Sequence, residues 1–129
     1  MTLFMLDTDT VSFALRVHGT VAAEIAKHKP SELCVSAITL AELRFGADKR
    51  RSRKIHTAID KFLSGMQVAP FDEVAAARFG EVGAALAGGG VPIGQMDTLI
   101  ASHALAVGAV LVTNNEKHFS KAVSYTHLT

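Results

Sequence analysis

Short runs of consecutive apolar residues alternate along this chain with longer segments in which apolar residues recur every three or four positions. The runs cover residues 3–6, 33–35 and 110–112, and residues 68–71 are a candidate for a fourth. Uninterrupted apolar runs of this length are typical of parallel strands that are covered on both faces. The segments with helical spacing cover residues 21–27, 38–48, 53–63, 73–86 and 96–107. This alternation predicts a doubly wound α/β fold with a parallel sheet.

A glycine cluster interrupts the helical pattern before the last helix. Gly88, Gly89 and Gly90 are followed closely by Pro92. Three successive glycines do not sustain a helix, and proline lacks the amide that a helix interior needs. We therefore expect a loop here that leads to Asp97. No Gly-Lys-Ser/Thr triplet follows, which argues against a phosphate-binding loop of the nucleotide-hydrolase type.

The composition is that of an ordinary globular protein. The chain has 129 residues, of which 49% are hydrophobic and 19% charged, and this length suits one domain over residues 1–129. Its single cysteine, Cys34, lies inside an apolar run and is expected to be buried. No apolar stretch approaches the roughly 18 residues of a membrane span, and the first residues lack a basic signal segment. We predict a cytoplasmic location.

Asp7 directly follows the first apolar run, so it stands at the carboxyl end of a predicted strand. In a parallel sheet the carboxyl ends of the strands bring residues from distant parts of the chain to one edge. Asp7 is therefore a candidate metal ligand, and the alternative is that it only caps the next helix. Asp9, two residues further on, is the better candidate for that cap.

Two further carboxylates lie inside predicted helices. Glu42 shares a helical face with Ile38 and Phe45, and this face is predicted to point inward. Asp97 shares a face with Ile100 in the same way. A carboxylate among apolar neighbours needs a compensating partner, commonly a metal ion or an arginine. Together with Asp7, these acids favour a site for Mg²⁺ or Mn²⁺, which prefer oxygen ligands.

Other polar residues add less specific signals. Thr113, Asn114 and Asn115 follow the last apolar run and could add oxygen atoms to the same edge. The six histidines show no metal-binding spacing, so most are expected at the surface. The net charge is only +1, but five cations cluster at residues 49–54. This cluster could hold phosphate groups, or it could be an ordinary solvated helix end.

Four motifs, in this order, resemble those of the PIN-domain ribonucleases, and most closely the VapC toxins of bacterial toxin–antitoxin pairs. They are Met-Leu-Asp-Thr-Asp at residues 5–9, the segment 35–47 around Glu42, the segment 93–101 around Asp97, and the segment 111–119 with Thr-Asn-Asn. The resemblance covers nearly the whole chain. It implies a single PIN domain with a PIN-like fold, in which a central parallel sheet of four to five strands lies between helices in three α/β/α layers.

The resemblance also implies roles for individual residues. Asp7, Glu42 and Asp97 would be catalytic acids that bind Mg²⁺, or alternatively Mn²⁺, with Asp7 and Asp97 as direct ligands. Many relatives have an aspartate where this chain has Asn115, so Asn115 is expected to have a supporting role. Relatives with Thr-Asn-Asn often carry an acid a few residues later, and either Glu116 or His118 could take its place here. Residues 124–129 differ from the usual family ending, which suggests that this tail is not native.

The implied activity is a metal-dependent endoribonuclease that cuts RNA and thereby inhibits translation. The implied substrate is a tRNA, with the anticodon loop of initiator tRNA as one candidate, and Lys49, Arg50 and Arg51 are candidate RNA contacts. Because water would be the nucleophile, the products would carry 5′-phosphate and 3′-hydroxyl ends. The implied partner is a VapB-like antitoxin, in a homodimer or a toxin–antitoxin hetero-oligomer.

Two alternatives to the nuclease have a basis in the sequence. A catalytically inactive PIN-like module would only bind a protein partner, whose arginine the acids would hold. A phosphohydrolase of the haloacid-dehalogenase type would use Asp7 of the Asp-Thr-Asp-Thr segment as its phosphorylated nucleophile, but it leaves Glu42 without a role. Metal-dependent RNA cleavage separates the nuclease from both.

Overall fold

The computed structural model describes residues 2–16, 23, 25–90 and 93–113. In these residues four parallel strands form one sheet in the order β3-β2-β1-β4. The strands are β1 (Phe4–Leu6), β2 (Leu33–Ser36), β3 (Gln67–Ala69) and β4 (Val110–Val112). Met5 of β1 lies opposite Cys34 on one side and Leu111 on the other. The predicted parallel sheet is confirmed with four strands, although β3 begins and ends earlier than residues 68–71.

Except for the first helix, which residues 8–16 form outside the predicted segments, the helices follow those segments closely. They are α1 (Thr8–Arg16), α2 (Ala37–Lys49), α3 (Arg53–Leu63), α4 (Glu73–Gly88) and α5 (Gln95–Val107), and a short 3₁₀ turn covers Pro30–Glu32. The side chains of Ser36, Ser52 and Asp72 cap α2, α3 and α4, because each accepts a hydrogen bond from a first-turn amide. The chain turns at the predicted glycine cluster, where Gly90 has a φ of 66°. Of the predicted helix 21–27, residues 23, 25 and 26 are described as helical, and residues 21, 22 and 24 lie outside the described part.

The sheet separates two apolar cores. Successive side chains of a strand point to opposite faces, so Met5 and Cys34 pack with residues of α4 and α5. Leu6 and Val35 face the other way and pack with residues of α1, α2 and α3. This is the predicted three-layer α/β/α arrangement, and it explains why the strands are apolar on both faces.

Cys34 lies in the first of these cores and is fully buried. Burial raises the pKa of its thiol to about 11. The prediction that Cys34 acts as a small buried apolar residue is confirmed. No helix among the described residues is long and apolar enough to cross a membrane.

The topology brings several helix starts to one edge of the sheet. α1 and α2 directly follow β1 and β2, so both begin at the carboxyl ends of these strands. α5 is separated from β4 only by Gly108 and Ala109, so it runs back against the strand direction and its first turn lies toward the same edge. This carboxyl edge is where a parallel α/β sheet forms its crevice.

Candidate active site at the carboxyl edge of the sheet

Asp7 is buried at the junction of β1 and α1, with 2% of its surface exposed. Its Oδ1 accepts a hydrogen bond from the amide of Thr10 at 2.8 Å, and its Oδ2 accepts one from the hydroxyl of Thr113. The Asp7 amide donates to the carbonyl of Val112 at 3.1 Å. Asp7 therefore caps α1 and also ties this junction to the end of β4.

The prediction that Asp9 caps this helix is wrong. α1 begins at Thr8, so Asp9 lies within its first turn and is exposed. A capping side chain belongs to the residue before the first turn, and that residue is Asp7. Capping does not exclude metal binding, because each carboxylate oxygen can accept two bonds and the hydrogen bonds described use one on each.

Glu42 is half-buried on α2 and is joined to the start of α1. The hydroxyl of Thr8 donates to Oε1 of Glu42 at 2.6 Å and lies 3.3 Å from the hydroxyl of Thr39. Since Thr8 is the neighbour of Asp7 in sequence, this bond brings two of the predicted acids to the same junction. Glu42 is held by a hydroxyl donor here and not by an arginine of the described chain.

The predicted inward orientation of the Glu42 face is wrong. Phe45, which was expected to share that face, is 69% exposed. The buried stripe of α2 consists of Thr39, Leu43 and Ala47, which follow each other at intervals of four residues. Glu42 lies beside this stripe and only borders the core, so it reaches the carboxyl edge of the sheet without entering an apolar interior.

Asp97 is half-buried in the first turn of α5. The positive end of the helix dipole favours a carboxylate at this position. Ile100, Ala101 and Ala104 of the same helix are buried, as the sequence predicts. Asp97 thus stands at the border between the core face of α5 and the carboxyl edge of the sheet.

The acids at this edge have the chemistry of a site for a hard divalent cation. Mg²⁺ and Mn²⁺ prefer oxygen ligands, and the carboxylates of these acids and the hydroxyls of Thr8 and Thr113 are groups of this type. Within the described ranges, however, no three His, Cys, Asp or Glu side chains are grouped so that they could hold a metal ion. Asn114, Asn115, Glu116, His118 and the tail 124–129 lie outside the described residues.

His103 is a buried polar residue that the sequence analysis missed. It is fully buried in α5, and its Nδ1 lies 2.7 Å from Oγ of Ser36. The same Oγ accepts the amide hydrogen of Ile38 at 3.0 Å and so caps α2. His103 therefore braces the start of the helix that carries Glu42. Only its position among the apolar residues of α5 could have signalled this role.

Burial lowers the pKa of His103, and the carbonyl of Pro70 and the charge of Asp72 oppose this shift in part. The ring of Phe71 meets the imidazole edge-on at a centroid distance of 5.1 Å. The expectation that most histidines lie at the surface is wrong for His103, whereas His28 and His56 are half-buried and so reach the surface. His18, His118 and His127 lie outside the described residues, so the expectation stays a prediction for them.

A cavity of about 450 Å³ lies between α1, α2 and α3, and we call it the three-helix cleft. Asp9 and Glu42 line it, as do the apolar side chains of Leu15, Ile55 and Ile59. Its cationic residues are Arg16, Arg50 and Lys54. Of the predicted RNA contacts only Arg50 lines this cleft, while Lys49 and Arg51 are exposed outside it.

Polar contacts between α2 and α3 fix one wall of the cleft. Arg44 donates to Nδ1 of His56 at 3.0 Å and pairs with Asp60. Nε2 of His56 lies 2.7 Å from Asp48, so the ring donates to this carboxylate while it accepts from Arg44. Asp48 and Asp60 are largely exposed, and we expect these contacts to orient the helices more than they stabilise the fold.

Comparison with known proteins shows extensive similarity to one family. The PIN-domain family profile matches residues 4–123. The tRNA(fMet)-specific endonuclease VapC of Salmonella typhimurium is 38% identical over 122 residues, covering 94% of this chain and 92% of that protein. Ribonuclease VapC2 of Haemophilus influenzae is 34% identical over 125 residues, covering 96% and 95%. The crystal structure of DNA-bound VapBC from Salmonella typhimurium matches with a TM-score of 0.87 at 37% identity, covering 93% of this chain and 92% of that one.

Proposed function

Because this chain belongs to the PIN-domain family, we propose that it is an endoribonuclease of the VapC type, the toxin of a toxin–antitoxin pair. The observation that carries the proposal is the placement of Asp7, Glu42 and Asp97 toward one edge of the sheet, where Thr8 joins the first two acids. Relatives named as a tRNA(fMet)-specific endonuclease and as a ribonuclease support the activity. We infer that a tRNA is the substrate, with the anticodon loop of initiator tRNA as the first candidate to test.

The proposed site uses the chain's own carboxylates to hold a divalent cation, Mg²⁺ or Mn²⁺. Asp7, Glu42 and Asp97 would hold it, and Asn115 would have a supporting role. When bound, such an ion neutralises charge on the phosphodiester and lowers the pKa of a coordinated water. Thr113 and the Thr10 amide keep the Asp7 carboxylate in one orientation, and Thr8 does the same for Glu42. A preoriented acid needs little rearrangement when it meets the substrate.

In the proposed hydrolysis water attacks the phosphorus and the bond to the 3′-oxygen breaks, which leaves a 5′-phosphate and a 3′-hydroxyl. The ribose 2′-hydroxyl takes no part, so no 2′,3′-cyclic phosphate forms. Unpaired loops suit such a site, since their bases and backbone are open to side chains. The proposed protein partner is a VapB-like antitoxin, as in the VapBC complex of Salmonella typhimurium. We expect a homodimer or a toxin–antitoxin hetero-oligomer in the cytoplasm, where tRNA is found.

The test is RNA cleavage by the purified protein after its antitoxin has been removed. Total tRNA is incubated with the protein in Mg²⁺ or in EDTA, and the ends of the products are sequenced. An Asp97→Asn variant should lose cleavage, whereas a Glu81→Gln variant should keep it, because Glu81 is an exposed acid that pairs with Arg78 on α4. Products with 2′,3′-cyclic phosphate ends would contradict the proposed chemistry.

The same experiment separates the alternatives. Absence of cleavage in every metal would favour a PIN-like module that only binds a partner. The haloacid-dehalogenase alternative gains no support from the comparisons, and it would require a phosphorylated Asp7. That residue is buried and accepts hydrogen bonds on both carboxylate oxygens.

A further inference from the structure

We propose that the three-helix cleft binds an unpaired nucleotide of the RNA that flanks the cleaved bond. This inference rests on the proposed ribonuclease function and adds a second contact region to it. Glu42 belongs to both the proposed catalytic edge and the cleft lining. RNA held at the acids would therefore extend directly into the cleft.

The cations of the cleft come from three separate parts of the chain and line one space. Arg16 lies in the last turn of α1, Arg50 follows α2, and Lys54 lies in the first turn of α3. All three residues are exposed, and none forms a salt bridge with another residue in the described part of the chain. Unneutralised cations that converge on a concave surface attract the phosphates of nucleic acid.

Lys54 gives an independent reason to assign these charges to an anion. A cation in the first turn of a helix is disfavoured by the positive end of the helix dipole. The first turn of α3 contains no acidic residue that would offset this effect. The position of Lys54 is thus unfavourable for the helix itself, and a bound phosphate would turn it into a favourable one.

The lining between the acids and the cations is apolar. Leu15 and Ile55 are half-buried there and Ile59 is fully buried, while Gly46 and Ala58 leave the space open. The volume of about 450 Å³ lies in the range of small-molecule pockets. An unstacked nucleobase has apolar faces that such a surface can desolvate, and unpaired bases are the parts of RNA that proteins reach.

The distance between the acid and the cations indicates how an RNA strand would lie in the cleft. Eight residues of α2 separate Glu42 from Arg50, which corresponds to about 12 Å along the helix axis. A nucleotide next to the cleaved bond would place its base on the apolar lining, and the following phosphates would reach the cations. This arrangement predicts that the cleft accepts single strands and excludes a duplex, whose bases are not free to enter it.

The first test compares two pairs of exposed cations, one pair inside the cleft and one pair outside it. Arg50→Gln with Lys54→Gln removes two cleft charges, and Arg53→Gln with Lys61→Gln removes two exposed charges outside the cleft. Both pairs are made in an Asp97→Asn protein, so that a fluorescent single-stranded oligoribonucleotide binds without being cut. The cleft pair should weaken binding about tenfold and lower the salt slope by about 1.4, since each phosphate contact contributes about 0.7. Equal effects of the two pairs would overturn the proposal.

The second test fills the cleft without changing its charge. Ala58→Leu should weaken binding of the same oligoribonucleotide about tenfold, because the larger side chain fills the space proposed for a base. The salt slope should stay unchanged, because no phosphate contact is removed. Ala76→Leu, on the exposed side of α4, is the matched control and should bind normally. Thermal melting of each variant verifies that it is folded. Normal RNA binding by Ala58→Leu would refute the subsite.

These tests distinguish failure of the cleft from failure of the nuclease. A wild-type protein that cuts RNA, with cleft variants that behave like their controls, keeps the proposed function and removes the subsite. A protein that binds the oligoribonucleotide through the cleft but cuts no RNA would keep the nucleotide-binding cleft and contradict the proposed nuclease function. If the Ala58→Leu variant binds RNA normally but no longer binds a VapB-like antitoxin, the cleft is a protein-docking site and our assignment is wrong.

Discussion

The hydroxyl of Thr8 donates a hydrogen bond to Oε1 of Glu42, across 2.6 Å and 34 positions of sequence. Thr8 follows Asp7 directly, so the short turn between β1 and α1 controls the orientation of two proposed catalytic acids. The turn orients the carboxylate of Asp7 through the amide of Thr10, and the hydroxyl of Thr8 orients the carboxylate of Glu42. Any change in this turn should therefore affect both acids together.

Replacing Thr8 with valine tests this relationship. Thr8→Val keeps the shape of the side chain but removes the only donor described for the Glu42 carboxylate, and a hydrogen bond to a charged group is worth about 1.5–3 kcal/mol. We expect the initial rate of RNA cleavage to fall about tenfold or more. Thr57→Val is the control, because Thr57 is exposed and its hydroxyl, among the described residues, bonds only to the carbonyl of Arg53. Equal rates in the two variants would contradict the role of Thr8.

Asp7 combines a structural and a proposed catalytic role, and two substitutions separate them. Asp7→Asn keeps an oxygen that can cap α1, so we expect cleavage to fall about 100-fold or more with little change in melting temperature. Asp7→Ala also loses the cap, which should lower the free energy of unfolding by a further 1–2 kcal/mol, approximately. Cleavage rates and urea unfolding curves measure the two effects. Equal stability of the two variants would show that the cap contributes nothing.

His103 should make the stability of the fold depend on pH. Because burial lowers its pKa in the folded protein, the unfolded chain binds the proton more readily below the ordinary value of about 6.5. The free energy of unfolding should therefore decrease as the pH falls through that value, while the contribution is fully present above it. His103→Gln should flatten this part of the profile. Urea unfolding from about pH 8 to about pH 5 measures it, and parallel profiles would refute the assignment.

Cys34 should be unreactive until the protein unfolds. Its thiol is fully buried and has a pKa of about 11, so almost no thiolate is present near neutral pH. We expect a disulfide reagent to label the native protein at the rate of unfolding and to label the urea-denatured protein at once. Rapid labelling of the native protein would mean that the core around Cys34 opens locally.

Much of the fold could be predicted from the sequence because the strands and helices have clear local patterns. The bounds of α3 and β4 agree with the predicted segments. Ser52 and Ser64 flank α3, and β4 lies between the Gly108-Ala109 pair and Thr113. The errors concern which side of an element is buried. Helical spacing groups Glu42 with Phe45, but it does not say that the neighbouring stripe through Leu43 is the one that packs on the sheet.

The candidate site was predictable where it depends on topology and unpredictable where it depends on single hydrogen bonds. Asp7 and Asp97 lie toward the carboxyl edge because parallel strands and returning helices must place them there. The contact of His103 with Ser36 joins residues 67 positions apart, and no local sequence pattern predicts it. The predicted cap, Asp9, lies two residues after the actual cap, Asp7. An error of this size is within the usual uncertainty of a helix start.

The pairing of β1 with β4 has a consequence during protein synthesis. The carboxylate of Asp7 and the hydroxyl of Thr113 meet across 106 positions of sequence, and β1 lies in the sheet between β2 and β4. A ribosome adds about 5–20 residues per second, so roughly 5–20 s pass between the synthesis of these two residues. A nascent chain therefore exposes Asp7 without the strand that completes its surroundings. The hydrogen bond that Thr113 donates to Asp7 can therefore form only after the end of β4 has been synthesised.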